Sequence, residues 1–468
     1  MDEWQAILGL LIIVVAMISF ILEKIPIAIT AVGASLLMVA IGALSFEDAY
    51  VKFGSTATVF TACMMVVGSA LFNTGVIDLV VKWFQRSRVE RNPRLLVAAI
   101  TLVTACLSAF LSNSAVVAIF LPLIGILAAR ATIKLNVQLL AISAGIGAAI
   151  GGIATLAGST AQLVTQDILM ETEGARPMGM FTLSAVGGPL IIITVIYMGT
   201  LGYRIGTRVL AGRGEVDLVG IDSEGQSADE GQRCSADAQT ESTQTGASRS
   251  GDAGGFGGST ATMVEDAVPT AAVNWRMPFS LSVLIFMIVG FSTGIADIAT
   301  VAMVGALVLI ATGCLPLNEA LKRIDWNTII ILSAAQAFGA GLTQSGGGQL
   351  VADWITGLLG GISGEWLILL FLCLVSMILT NFASNVALTA MFVPIGMSVA
   401  ASIGADPTSW AIAITLACNI AVFTPIGTPC MTQTLVAKLR YTDYIKIGLP
   451  LAVILTVAAT LLSLVVYP

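Results

Sequence analysis

Two stretches of this 468-residue chain set hydrogen-bonding side chains inside runs that otherwise read as hydrocarbon. "FLSNSAVVAIFLPLIG" covers Phe110–Gly125 and "FASNVALTAMFVPIGM" covers Phe382–Met397, with Asn113 opposite Asn385 and Pro122 opposite Pro394 at an offset of 272 residues. Downstream, "GGIATLAGST" (Gly151–Thr160) matches "IAVFTPIGTP" (Ile420–Pro429), with Thr155 opposite Thr424 and Gly158 opposite Gly427 at an offset of 269. Asparagine amides, Ser and Thr hydroxyls and carbonyls freed where a helix breaks are neutral oxygens able to replace the hydration shell of a hard monovalent cation. Free N–H groups at the start of a returning half-helix present partial positive charge to an anion. Each stretch is thus equipped for one cation site and half of an anion site.

The elements that must position these groups lie in a membrane. With 57% hydrophobic and 10% charged residues, the chain is expected to be an all-α polytopic membrane protein. Apolar runs of about 17–25 residues, long enough to cross the hydrocarbon layer, recur throughout. The first, starting at Trp4, has no basic leader or small-residue cleavage site and reads as a retained span. There is no histidine and no CxxC pair, which argues against a zinc site or a disulfide framework. The formal charge of −7 is concentrated between Gly214 and Asn274, where eleven acidic residues face only Arg233 and Arg249. It gives no reason to expect a nucleic-acid partner.

Hydropathy places spans near 5–22, 27–44, 54–74, 137–170, 181–203, 279–296, 299–315, 327–345, 408–437 and 446–467, the fourth and ninth interrupted. Two further segments, 95–130 and 365–403, are broken midway by polar residues and read as re-entrant hairpins. The segment 214–274, rich in Gly, Ser, Thr, Asp and Glu, reads as a disordered acidic linker. It separates a first repeat, 1–213, from a second, 275–468. A third match, "FEDA" at Phe46–Ala49 with "LNEA" at Leu317–Ala320, has an offset of 271 and falls in the same order as the other two. Five spans per repeat is an odd number, so the second repeat is inverted relative to the first. With external termini and a cytoplasmic linker, only Lys52 and Arg176 of 21 basic residues fall outside the cytoplasmic loops.

A helix is broken in hydrocarbon only where protein or a wet site satisfies the freed backbone groups, because each unpaired group costs several kcal/mol. Alone, Ser112-Asn113-Ser114 reads as helix glue as readily as a site. Repetition, with a proline nine residues after each asparagine and a Gly-Thr/Ser break downstream, favours a site. Gly145, Gly147, Gly151 and Gly152 read as close-packing positions. No titratable side chain lies well inside the motif-bearing segments; Asp167 and Lys438 lie towards the ends of the interrupted spans. A proton-coupled carrier usually needs such a group, whereas sodium coupling through neutral oxygens does not. No nucleophile–base pair, metal cluster or cofactor motif suggests an enzyme.

At these motifs the chain resembles the divalent-anion:sodium symporter family, carriers of dicarboxylates, citrate or sulfate within the ion-transporter superfamily. The resemblance runs over the whole membrane portion, in order. It implies one sodium surrounded by Ser108, Ser112, Asn113 and Gly158, and a second surrounded by Thr380, Ser384, Asn385 and Pro429. Asn113, Ser114 and Ser159 on one side and Asn385 and Thr428 on the other would face the anion. It also implies a homodimer with an elevator mechanism, in the cell (inner) membrane. The chain departs from the family pattern at Val386, which lacks the hydroxyl of Ser114, and at Gln162 and Met431, where an asparagine is common. The lost donor slightly favours sulfate over a four-carbon dicarboxylate. The expected activity is sodium-coupled symport of a divalent anion. A sodium/proton or arsenite-type antiporter of the same superfamily and an uncoupled anion channel are the alternatives.

Overall fold

In the computed structural model, the residues described are 3–22, 24–75, 92–130, 135–172, 174–211, 275–293, 296–350, 353, 357 and 364–467. The acidic segment 214–274 lies outside them. The first half contains α1 (Glu3–Leu22), α2 (Ile27–Ala40), α3 (Phe46–Val51), α4 (Thr56–Asn73), α5 (Pro93–Ser108), α6 (Asn113–Arg130), α7 (Val137–Gly151) and α8 (Thr160–Glu171). Its last helix, α9 (Ser184–Val209), contains a π-helical turn at Met198–Gly202. The second half contains α10 (Arg276–Thr293), α11 (Ile298–Ala311), α12 (Leu317–Arg323), α13 (Trp326–Gln344), α14 (Glu365–Thr380), α15 (Asn385–Ile403), α16 (Pro407–Asn419), α17 (Pro429–Gln433) and α18 (Tyr441–Val466). The described residues contain no strand.

Local chemistry accounts for the boundaries. Asn92 caps α5 by accepting from Arg94 N–H at 3.1 Å, and Pro93 opens the helix where its missing N–H costs nothing. Asn136 caps α7 in the same way through Leu139 N–H at 3.0 Å, and Asp406, followed by Pro407, caps α16 through Ser409 N–H at 3.1 Å. Gly42 (φ +73°) and Gly313 (φ +73°) end α2 and α11 in the left-handed region. After each, the chain turns into a short helix, α3 or α12, built on the matched "FEDA" and "LNEA". These two short helices were not anticipated, because six or seven residues with one buried side chain each make a weak periodic signal.

Among the described residues, six helical segments are long and apolar enough to cross a membrane by length and composition, including Val137–Ala154, Ser184–Val209 and Tyr441–Val466. A shorter class holds the expected hairpin limbs α5, α6 and α14 together with α1, α2 and α11, which were expected to span, whereas α15 is long enough to cross despite its place in an expected hairpin. α7 is buried from Gln138 to Gly151, so its apolar character on all sides reflects a central position. α10 and α18, by contrast, turn Phe286, Val289, Val453 and Leu461 outward.

The strongest packing divides the helices into two groups that cut across the halves. α1–α4 pack with α10–α13, through α2 on α13 and α11 on α4. α5–α9 pack with α14–α18, through α5 on α7, α15 on α16 and α9 on α18. The groups meet where α13 and α4 touch α8 and where α13 touches α15.

Gly42→Ala and Gly313→Ala should each lower stability by about 1–2 kcal/mol, the cost of a Cβ in the left-handed region. Gly33, in α2, has nothing within 4 Å of an added Cβ, so Gly33→Ala should leave the melting temperature of the solubilised protein unchanged or raised. Equal losses in all three would show that the two turns carry no such constraint.

Candidate functional site

α5 stops at Ser108 and α6 begins at Asn113, so the helix is broken over residues 109–112, where the hairpin tip was expected. The fully buried Ser108 hydroxyl donates to Asn113 Oδ1 at 2.6 Å and closes the tip. Between α7 and α8 the helix is interrupted over residues 152–159. The Thr155 hydroxyl in this break donates to the Ala109 carbonyl of the tip. Glycines leave room for the close contacts that follow. A Cβ on Gly158 would lie 2.3 Å from the Gly152 carbonyl oxygen, and one on Gly152 would lie 2.7 Å from Asn113 Oδ1. Gly145, Gly147 and Gly151 are close-packing positions, as their sequence context suggested, with an added Cβ meeting neighbouring atoms at 2.2–2.8 Å.

The second half repeats the construction. α14 stops at Thr380 and α15 begins at Asn385, and the Thr380 hydroxyl lies 2.7 Å from Asn385 Oδ1. It also reaches the Cys418 carbonyl. The Thr424 hydroxyl donates to the Asn381 carbonyl, matching the Thr155 bond to Ala109. Ser159 (φ −145°, ψ 139°) and Thr428 (φ −143°, ψ 143°) share a backbone conformation at the N-caps of α8 and α17, and neither side chain caps its own helix. Each tip phenylalanine meets a ring edge-on: Phe110 with Phe181 at 6.5 Å and Phe382 with Phe423 at 6.2 Å.

The halves are joined crosswise. α6 packs on α17, and α15 packs on α8. Ser159 Oγ donates to Asn419 Oδ1 at 2.6 Å, linking the first break to the end of α16. Thr428 is buried with its hydroxyl 3.3 Å from Cys430 Sγ, while Pro429 opens α17 at an exposed position. The Ser112 and Ser384 carbonyls accept from Val116 N–H and Leu388 N–H at 3.2 and 3.0 Å, starting the two returning helices. Ser114 is half-buried in the first turn of α6, and its counterpart Val386 is buried in α15. Gln162 does not extend the tip. Its Nε2 donates to the Gly152 carbonyl at 3.1 Å, and its Oε1 has no partner among the described residues.

Three participants were not identified from sequence. Asn381, fully buried, donates to the Met377 and Ile420 carbonyls at 2.7 and 3.2 Å and accepts from Phe423 N–H at 3.0 Å, so one amide fastens the second tip to its break. Ala109 holds its place in the first half, so comparing the halves gave no signal. Asn419 was visible as a lone amide in "AIAITLACNIAVF", but its offset partner is Ile150. Asp167, set aside for lying near the end of a span, is only 8% exposed, and neighbouring Lys52 is also buried and paired with Glu171. The expectation that no buried acid lies in the motif-bearing helices is corrected accordingly. Position along a span did not predict burial: α8 packs on α13 and α4 and Asp167 is covered, although Met170 and Glu171 at the end of the helix are exposed.

Comparison with known proteins fits this construction. The citrate transporter (CitMHS) family profile matches residues 17–415 and 362–467. The chain belongs to the citrate transporter family. It is 31% identical over 191 residues to an uncharacterized transporter of Synechocystis, covering 40% of this chain and 31% of that protein. An uncharacterized transporter of Haemophilus influenzae is 25% identical over 431 residues, covering 91% of this chain and 84% of the relative. The Na(+)/citrate cotransporter of Rattus norvegicus is 30% identical over 146 residues, covering 30% of this chain and 24% of the relative. The first curated matches span about a third of those proteins' own lengths, between 31% and 38%. The Alcanivorax borkumensis YdaH transporter shares the fold, with a TM-score of 0.56 at 14% identity, covering 92% of this chain and 87% of that one. This citrate transporter family member is therefore a multi-pass integral membrane protein of a family of transporters, and the resemblance to divalent-anion:sodium symporters is upheld.

Removing the Asn381 amide leaves Phe423 N–H and the Ile420 carbonyl buried without partners, at about 1–3 kcal/mol each. Asn381→Ala should therefore lower the melting temperature more than Thr155→Val, which frees one carbonyl. The reverse order would show that the second tip is not held by this amide.

Proposed function

We propose that the protein is a secondary active transporter that couples sodium entry to symport of a carboxylate anion, citrate or a four-carbon dicarboxylate. The observation that carries this reading is the paired oxygen cluster at the tips: Ser108 with Asn113, and Thr380 with Asn385 and the Cys418 carbonyl. A hydroxyl has one proton to donate, so Thr380 cannot satisfy both of its oxygen neighbours as a donor. A small cation among such oxygens resolves the crowding. On this reading Ser108, Ser112, Asn113 and Gly158 hold one sodium and Thr380, Ser384, Asn385 and Pro429 the other. Asn113, Ser114, Ser159, Asn385 and Thr428 face the anion, assisted by the N-termini of α6 and α15.

The family membership and the sodium-coupled citrate and dicarboxylate relatives support carboxylate cargo, which places sulfate second despite the missing hydroxyl at Val386. The two helix groups suit an elevator in a homodimer: α1–α4 with α10–α13 as the static scaffold, the tips and breaks in the moving group. An inverted repeat of 1–213 and 275–468, joined by a cytoplasmic linker at 214–274 with both termini external in the cell membrane, accounts for the basic loops. Buried Asp167 favours the antiporter alternative, but it lies at the junction of the two groups and away from the tips. Transport unaffected by pH and driven by sodium alone would separate the two.

Asn113→Ala and Asn385→Ala should each reduce sodium-driven uptake of radiolabelled citrate and succinate into proteoliposomes by at least about tenfold, or about 1.4 kcal/mol. The melting temperature without ligands should change little. Full uptake by either variant would rule out the tip assignment. Strong sulfate competition with no competition by citrate or succinate would reverse the order of substrates.

A further inference from the structure

A second polar cluster lies away from the tips, where the two helix groups meet. A cavity of about 130 Å³ is lined by Lys52, by Asp167, Glu171 and Thr172 from α8, and by Gln336 and Thr343 from α13, among others. This is room for several waters or a hydrated ion. Lys52 is committed to Glu171, and Ser55 engages the Asp167 carboxylate. Asp167 Oδ2, Gln336 Oε1 and Gln336 Nε2 have no hydrogen-bond partner among the described residues. Asp167 is 8% and Gln336 3% exposed, so bulk water does not supply what the protein withholds.

The charge is unbalanced as well. One ammonium faces two carboxylates: Lys52 bonds Glu171 directly and offsets Asp167 only in part, which leaves the cluster one positive charge short. A buried carboxylate whose charge is only partly balanced is costly to hold. The donor set narrows what can compensate it. Among the described residues no group of three or more His, Cys, Asp or Glu could hold a metal ion, as a divalent site commonly requires. A carboxylate oxygen, an amide oxygen and the hydroxyl oxygens of Thr172 and Thr343 suit a singly charged hard cation. The two threonine hydroxyls donate to the Ile168 and Gly339 carbonyls, which leaves their lone pairs available.

We propose that this cavity is an additional binding site for a monovalent alkali cation, held between Asp167 Oδ2 on α8 and Gln336 Oε1 on α13. Its ligands come from opposite sides of the junction, so the bound ion ties the two groups together in this arrangement and is lost when they separate. The inference rests on the reading of α5–α9 and α14–α18 as a moving group. It supplies a cation whose binding reports the position of that group directly, independent of the tips.

The test is equilibrium binding of ²²Na⁺ to the purified full-length protein at fixed pH, with choline as the inert cation. Asp167→Asn should bind about one sodium fewer per protomer than the unmodified protein. Gln336→Leu should lose the same ion, and Gln336→Glu, which adds charge, should bind it more tightly. The Asn113→Ala/Asn385→Ala double variant should retain it. An unchanged sodium count in Asp167→Asn and Gln336→Leu overturns the proposal whatever the tip variant shows. If the tip variant keeps every sodium while Asp167→Asn loses one, the tip assignment fails and this site stands. If acid stabilises the unmodified protein but not Asp167→Asn, with equal sodium counts, the occupant is a proton and the proposal is overturned.

Discussion

Two hydroxyl-to-carbonyl bonds, Thr155 to Ala109 and Thr424 to Asn381, bear the constraint on which the rest of the structure depends. A helix that stops inside a membrane leaves carbonyls and N–H groups that lipid cannot satisfy. Each half stops helices twice, at a tip and at a break, and presses the two together so that each satisfies part of the other. The glycines at 152 and 427 follow from that demand, since Gly152 leaves room for the Asn113 amide of one tip and Gly427 for the Asn381 and Thr380 backbone of the other, while Gly158 lets the break fold onto Gly152. Once tip and break are in contact, the remaining oxygens of Ser108, Asn113, Thr380 and Asn385 converge in two small clusters.

The crosswise packing joins the two local solutions. With α6 on α17 and α15 on α8, neither half completes its surroundings alone, and the Ser159–Asn419 bond spans the halves directly. An anion held between the tips would draw on helix N-termini from both halves, and its binding would be sensitive to whatever orders either tip. On the proposed reading, cations that pull the tip oxygens together would also fix the positive ends of α6 and α15, which is how coupling would arise.

Much of this was legible in the sequence, because breaks in hydrocarbon are costly and so leave conspicuous residues. Ser112-Asn113-Ser114 and Ser384-Asn385 marked the tips, "TLAGST" and "TPIGTP" marked the breaks, and the constant offset paired them. The structure places helix ends at those positions. What escaped was whatever one half possesses without the other. Asn381 faces Ala109 in the comparison of halves and Asn419 faces Ile150, so repetition, the strongest signal, was silent there. Asp167 escaped for a different reason: distance along a span says nothing of the face a residue occupies, and Asp167 is buried beside Gln336 of α13 although the end of α8 is exposed. The grouping of α1–α4 with α10–α13, apart from the helices of the tips and breaks, was implied only by the family resemblance, since contacts between distant segments leave no local residue pattern.

The central claim is that sodium at the tips creates the anion site. The most direct measurement is equilibrium binding of radiolabelled citrate, succinate and sulfate to the purified protein as sodium is exchanged for choline at constant ionic strength. The account predicts that one of these anions, a carboxylate first, binds with an affinity that climbs steeply with sodium and is negligible in choline alone. Equal affinity in sodium and in choline would contradict it.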